Sequence, residues 1–230
     1  MKFEKRLLKG KLIKRYKRFF IDVRIDNKDV TAHCPNTGSM LGLLEKGNDV
    51  WVKKNDDPKR KLKYTLELIK VNKSLVGINT HRANKIVFEA LNNKKIKELN
   101  NVDKILPESF FDKETRFDFL LLKGKAKIFL EVKNVTLAPL KKIAAFPDAV
   151  TERGNKHLNK LGEAMKKGFL SYILFLVQRE NINSFQIAKN IDPNYFETFR
   201  KIKKMGVKIL CYGCTLSSKE IKVNNPIKIL

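Results

Sequence analysis

In this chain of 230 residues, Asp118, Glu131 and Lys133 are the side chains whose types and spacing can do chemistry together. Glu131 and Lys133 stand two apart in a run that reads as a strand, so they leave the same face while Val132 leaves the other. Asp118 lies in the preceding strand-like run. Facing carboxylates on paired strands can hold one Mg²⁺ or Mn²⁺ and leave positions open for water and a phosphate oxygen. A neighbouring lysine can orient that water or stabilise developing negative charge. The chemistry is phosphodiester hydrolysis. Taken alone, an Asp followed at a distance by Glu-x-Lys is a weak pattern, equally suited to the polar face of a half-solvated strand. The apolar Ile128-Phe129-Leu130 that leads into it favours a site rising from a buried sheet.

The elements that must position these residues can be read from periodicity. Phe117–Leu122 and Ala126–Val135 are strand-like runs split by Lys123-Gly124-Lys125, which predicts an antiparallel hairpin. A helical face over Ile86, Val87, Ala90 and Leu91 precedes them. Pro147-Asp148 opens a second helix, with Val150, Gly154, Leu158, Leu161 and Met165 on one stripe and Gly168 at its end. A buried strand follows at Tyr172–Val177, then a helix from Asp192-Pro193 to Met205, then a strand at Val207–Cys211. By analogy this order fits the αβββαβ core of PD-(D/E)xK nucleases. Upstream, from Phe3 to about Val71, some five short β runs with turn punctuation fit a small barrel of the OB type. The period changes near Ala83, which predicts two domains, 1–82 and 83–230.

Charge points to a polyanion. Forty-nine Lys+Arg against 24 Asp+Glu give a net charge of +25, which suits nucleic acid or an anionic membrane. A Lys- and Asn-rich genome would also give such a composition, so distribution has to decide. Residues 2 to 18 hold nine basic side chains and one acid, Glu4. Read as a strand, Arg15, Lys17 and Phe19 share one face and Lys14, Tyr16 and Arg18 the other, offering cations to phosphates and rings for stacking. A solubilising edge strand has the same composition. On the second helix Arg153, Lys156, His157 and Lys160 recur at three- and four-residue steps, a spacing that can line a channel beside the acids.

No stretch is apolar for the ~18 residues of a spanning helix and the first ten residues lack a signal-peptide core, so a cytoplasmic protein with no membrane partner is expected. Cys34, Cys211 and Cys214 do not make a disulfide framework, and a zinc site would lack its second pair of ligands, so reduced thiols packed in the core are expected.

Several longer strings resemble the sugar fermentation stimulation protein A (SfsA) family. They are Arg15-Tyr16-Lys17-Arg18-Phe19, Ala32–Met40, Asn79-Thr80 with Ala83-Asn84, Arg116–Phe119, Glu131–Leu137 and Phe146–Gly154, and they run in order from end to end. The resemblance implies a mixed α/β chain, with an OB-fold followed by a PD-(D/E)xK-like domain, and a DNA-binding role. It makes Asp118 and Glu131 metal ligands for Mg²⁺ or Mn²⁺, Lys133 the catalytic-type lysine, and Glu89 an outer acid. With that string behind it, His157 is expected to face phosphate beside Arg153 and Lys156. The leading expectation is a DNA-binding protein, in line with the family name a regulator of sugar-utilisation genes. An active Mg²⁺-dependent endonuclease and a single-strand or RNA-binding module are the alternatives, with oligomeric state and double- versus single-stranded DNA left open.

Overall fold

The period-two runs at the start of the chain form six strands: β1 (Leu8–Tyr16), β2 (Phe20–Ile25), β3 (Lys28–His33), β4 (Asp49–Lys54), β5 (Tyr64–Val71) and β6 (Ser74–Gly77). The computed structural model describes residues 1–230. These strands order as β3-β2-β1-β4-β5-β6, and a parallel bridge from His33 to Thr65 closes β3 onto β5, completing a five-stranded barrel of the OB type. Alternation turns Ile21 and Val23, and Val50 and Val52, inward, while a register shift between β4 and β5 brings both Leu66 and Ile69 to the same core, which also takes Met40 and Leu43. The sequence expectation that β1 runs on through Phe19 is corrected. The strand ends at Tyr16, which pairs with Phe20, and Lys17–Phe19 form a three-residue turn with Lys17 and Arg18 at positive φ.

Beyond the barrel come α1 (Ala83–Asn92), β7 (Lys104–Phe110), β8 (Arg116–Lys123), β9 (Ala126–Val135), β10 (Leu137–Leu140), β11 (Ile143–Phe146), α2 (Glu152–Lys166), β12 (Leu170–Val177), β13 (Ser184–Ile187), α3 (Pro193–Lys204), β14 (Lys208–Leu216), β15 (Ile221–Pro226) and β16 (Lys228–Ile229). The main sheet has the order β15-β14-β12-β9-β8-β7, with β9, β12 and β14 parallel. Both of its faces are covered, which is why those strands read as near-continuous apolar runs. Leu130, Val132 and Leu174 pack towards α1 with Ile86 and Val87, whereas Phe129, Ile173 and Phe175 pack towards α2 and α3 with Leu158, Leu161 and Phe199. Truncating one of these to Ala costs about 2–5 kcal/mol. The series α1, β7-β8-β9, α2, β12 is the αβββαβ order expected from the sequence.

Helix α2 begins later than Pro147-Asp148 implied. Thr151 is its cap, accepting from Gly154 N at 3.0 Å, and Phe146-Pro147 instead ends an extended segment through a cis peptide. Strand β7 went unread because it is an edge strand interrupted by Pro107 and by Glu108 at φ 54°. Strands β10, β11 and β13 are four residues each and join β16 in a second small sheet. All three cysteines are buried free thiols, Cys211 and Cys214 in the packing on opposite faces of the main sheet. No helix is long and apolar enough to cross a membrane.

Candidate functional site

The hairpin that carries the acids opens at the point where they sit. Ladder pairing of β8 with β9 runs from Lys123↔Ala126 to Phe119↔Leu130 and stops there. In its place, Asp118 Oδ2 accepts from Val132 N at 2.7 Å, so the side chain takes over a main-chain donor that the ladder leaves. Asp118 Oδ1 accepts from Asn84 Nδ2 on α1, also at 2.7 Å. Glu131 is 3% exposed, and its Oε1 holds Lys133 Nζ at 2.6 Å and His157 Nδ1 at 2.5 Å. Its other oxygen, Oε2, is buried with no hydrogen-bond partner in the protein. Buried carboxylate oxygens are rarely left so.

Electrostatics pull the two carboxyls apart. Burial, followed by the charge of Glu131, pushes Asp118 up to about 6. Burial acts on Glu131 in the same direction, yet Lys133 and His157 outweigh it and hold Glu131 below the ordinary carboxylate range. Two acids with few cations between them and an orphaned oxygen fit a divalent cation, whose charge would remove the penalty Asp118 carries. The donor set is hard oxygen, suited to Mg²⁺, Mn²⁺ or Ca²⁺.

These residues floor a cleft of about 680 Å³ whose lining comes from both halves of the chain. The barrel and the junction after it supply Arg18, Asn36, Thr37, Thr80 and His81; the α/β unit supplies Arg116, Lys133, Arg153 and His157. The walls are fastened to each other. Ser39 Oγ donates to Asp148 O at 2.5 Å, and Met40 N donates to Asp148 Oδ2 at 3.2 Å. At Gly38 an added Cβ would stand 2.3 Å from Asp148 Oδ2, so any side chain there must displace that carboxylate. A buried ion pair, Arg82 Nη2 to Glu67 Oε1 at 2.8 Å, ties the junction to β5, and Asn79 Nδ2 also donates to Glu67.

Of the residues singled out by sequence, the cleft brings together Asp118, Glu131, Lys133, His157, Arg153 and Arg18. Four placements differ from expectation, those of Glu89, Arg15, Lys17 and Lys156. Glu89 is not with the other acids: its carboxylate takes the N-terminal amine of Met1 at 2.8 Å, and no third His, Cys, Asp or Glu joins Asp118 and Glu131 in an arrangement that could hold a metal ion. His157 lines the cleft and meets Glu131 Oε1 through Nδ1 at 2.5 Å. Arg15 is folded inward, donating to the carbonyls of Arg18, Asn36, Gly38 and Ser39 at 2.7–3.4 Å, so its role is to hold the hairpin tip and the 36–39 loop. Lys156 pairs with Glu114 at 3.1 Å outside the cleft, and Lys17 is exposed on the turn, also outside it. The sequence marks no site role for Asn84, Arg116 or Asp148; all three lie inside the strings quoted above, the one signal that points to them.

Comparison with known proteins accounts for both halves. Residues 13–78 match the family described as SfsA N-terminal OB domain, and residues 81–220 match Sugar fermentation stimulation protein RE domain. A sugar fermentation stimulation protein homolog of Pelagibacter ubique is 64% identical over 230 residues, covering 100% of this chain and 99% of the relative. One from Pseudoalteromonas atlantica is 43% identical over 234 residues, with 100% of both chains covered. The fold superposes on the structure of Pyrococcus furiosus SfsA in complex with Ca²⁺ with a TM-score of 0.90 at 24% identity, covering 100% of this chain and 98% of that one. The OB barrel and the α/β unit therefore have counterparts along the whole length, and the chain belongs to the sugar fermentation stimulation protein (SfsA) family.

Proposed function

We propose that this protein binds DNA in the two-walled cleft and hydrolyses phosphodiester bonds there with a divalent cation. The observation that carries this reading is Glu131: a carboxylate buried at the floor of a cation-rimmed cleft, with one oxygen held by Lys133 and His157 and the other without a partner. Asp118 and Glu131 would hold the metal, which would supply Lewis-acid polarisation of a phosphate oxygen and lower the pKa of bound water. The Ca²⁺ bound by the Pyrococcus furiosus protein supports a divalent site in this fold.

The chain's own residues supply the rest. Lys133 Nζ, fixed 2.6 Å from Glu131, places a positive charge beside the acids where charge develops on the phosphate. His157 orients the Glu131 carboxylate from α2, and Asn84 orients Asp118 from α1. Arg18 and Arg153 attract the polyanion, consistent with the net charge of +25. A role in regulating sugar-utilisation genes draws on the family name and on no residue of this site.

The test is incubation of purified protein with supercoiled, linear and single-stranded DNA, with and without Mg²⁺ or Mn²⁺. Metal-dependent nicking or cleavage is expected. Binding without cleavage under any metal would reduce the site to recognition, and cutting that persists in Glu131→Ala would place the chemistry elsewhere.

A further inference from the structure

We propose that the cleft takes nucleic acid as a single unpaired strand, its backbone running from Arg18 at the tip of the first barrel hairpin, across the acidic floor, to Arg153 at the start of α2. The inference rests on the phosphodiester reading and adds the class of substrate. Of the arginines lining the cleft, Arg116 is paired with Glu108 at 2.8 Å, while Arg18 and Arg153 have no carboxylate within ion-pair distance. One free guanidinium thus comes from each half of the chain, in the cleft that the acids also line. Both are exposed, as are Thr37 and His81 on the barrel side of the same cleft.

Shape decides for one strand over two. Glu131 lines the cleft yet is only 3% exposed, so it lies below the surface that the walls present. A scissile phosphate has to descend between the walls. In a duplex the second strand and its stacked pairs accompany every phosphate, so descent requires walls that part. Here they are joined by Ser39 and Met40 to Asp148, with no room for a Cβ at Gly38. A single strand needs no such opening. Two apolar side chains are exposed nearby: Phe19, which follows the cleft-lining Arg18 in the chain, is 47% exposed, and Val150, which lines the cleft, is 71% exposed. An exposed ring beside a free arginine suits an unstacked base with its phosphate.

The experiment measures fluorescence anisotropy with labelled 12-nucleotide probes in Ca²⁺ at one fixed salt concentration: a DNA strand, the RNA strand of the same sequence, a blunt DNA duplex, and a duplex with an unpaired tail. Tighter binding of the single strands and the tailed duplex than of the blunt duplex, by about tenfold or more, is expected, and the DNA and RNA arms identify the preferred sugar. Phe19→Ala and Arg18→Ala should each weaken single-strand binding by about fivefold or more with the thermal midpoint unchanged. A blunt duplex bound as tightly as the strand, or single-strand binding indifferent to both substitutions, overturns the inference and leaves the phosphodiester reading standing. Failure of every probe to bind overturns both.

Discussion

His157 Nδ1, on α2, lies 2.5 Å from Glu131 Oε1 on β9, so a helix on one side of the sheet fixes a carboxylate that the strand alone would leave free to rotate. Lys133 shares the same oxygen, and Oε2 is thereby the atom left over. The asymmetry separates two roles: holding the acid, and acting on what binds beside it.

Lys133→Ala tests that separation. A charge positioned at the reacting phosphate acts on the transition state, so cleavage should fall by ~10²-fold or more while affinity for DNA changes only a few-fold. Single-turnover cleavage and anisotropy on the same preparation measure both. Parallel loss of binding and cleavage would make Lys133 a ground-state phosphate contact.

Asp118 gives a stability signature. Its folded value of about 6 lies above the unfolded value near 3.8, so the folded state holds the proton more tightly. Its contribution is fully present below pH ~4 and is lost as the pH rises through about 6. In chelator-treated protein, Asp118→Asn should therefore raise the thermal midpoint at pH 8, by an amount on the order of 2–3 kcal/mol, and leave it near wild type at pH 4. Asn84 can turn its amide to accept from the new side chain. A midpoint lowered at pH 8 would show that burial beside Glu131 does not disfavour the Asp118 charge.

Metal linkage follows from the same pair. Mn²⁺ or Ca²⁺ should raise the wild-type midpoint, by about 2.7 kcal/mol of added stability at a hundredfold excess over Kd, and Asp118→Ala should lose that gain. Equal stabilisation of both proteins would remove Asp118 from the site.

Arg15 and Lys17, two residues apart, should behave differently. Arg15→Ala strips donors from four carbonyls and should cost about 1–3 kcal/mol in denaturant unfolding. Lys17→Ala removes an exposed charge and should leave stability within about 0.5 kcal/mol. Similar losses from both would contradict the inward fold of Arg15.

Gly38→Ala should force Asp148 aside and cost about 1–3 kcal/mol, because its Cβ would meet the carboxylate at 2.3–2.7 Å. Adding Asp148→Ala relieves the clash, so the double variant should lose less than the sum of the single losses. Strict additivity in chemical denaturation would break the proposed contact between the walls.

Local sequence determined what period and composition can encode. The β8–β9 hairpin follows from two β-rich runs about a glycine-containing turn, and the shared face of Glu131 and Lys133 follows from the pleat. The stripe of α2 and the barrel's short strands were legible for the same reason. Tertiary structure decided the remainder, because those outcomes depend on partners far along the chain. Glu89 is on the right helix but meets Met1, 88 residues away, in place of the metal pair, and its spacing could not show that. His157 and Arg153 share α2, yet only packing against β9 turns His157 to a carboxylate and leaves Arg153 free. The strand pattern through Phe19 was broken by positive φ at Lys17 and Arg18, conformations their side chains do not advertise. The cleft itself, an acidic floor from one half of the chain under a wall from the other, depends on contacts across more than a hundred residues, such as Asp148 with Ser39 and Met40 and Leu75 with Glu180.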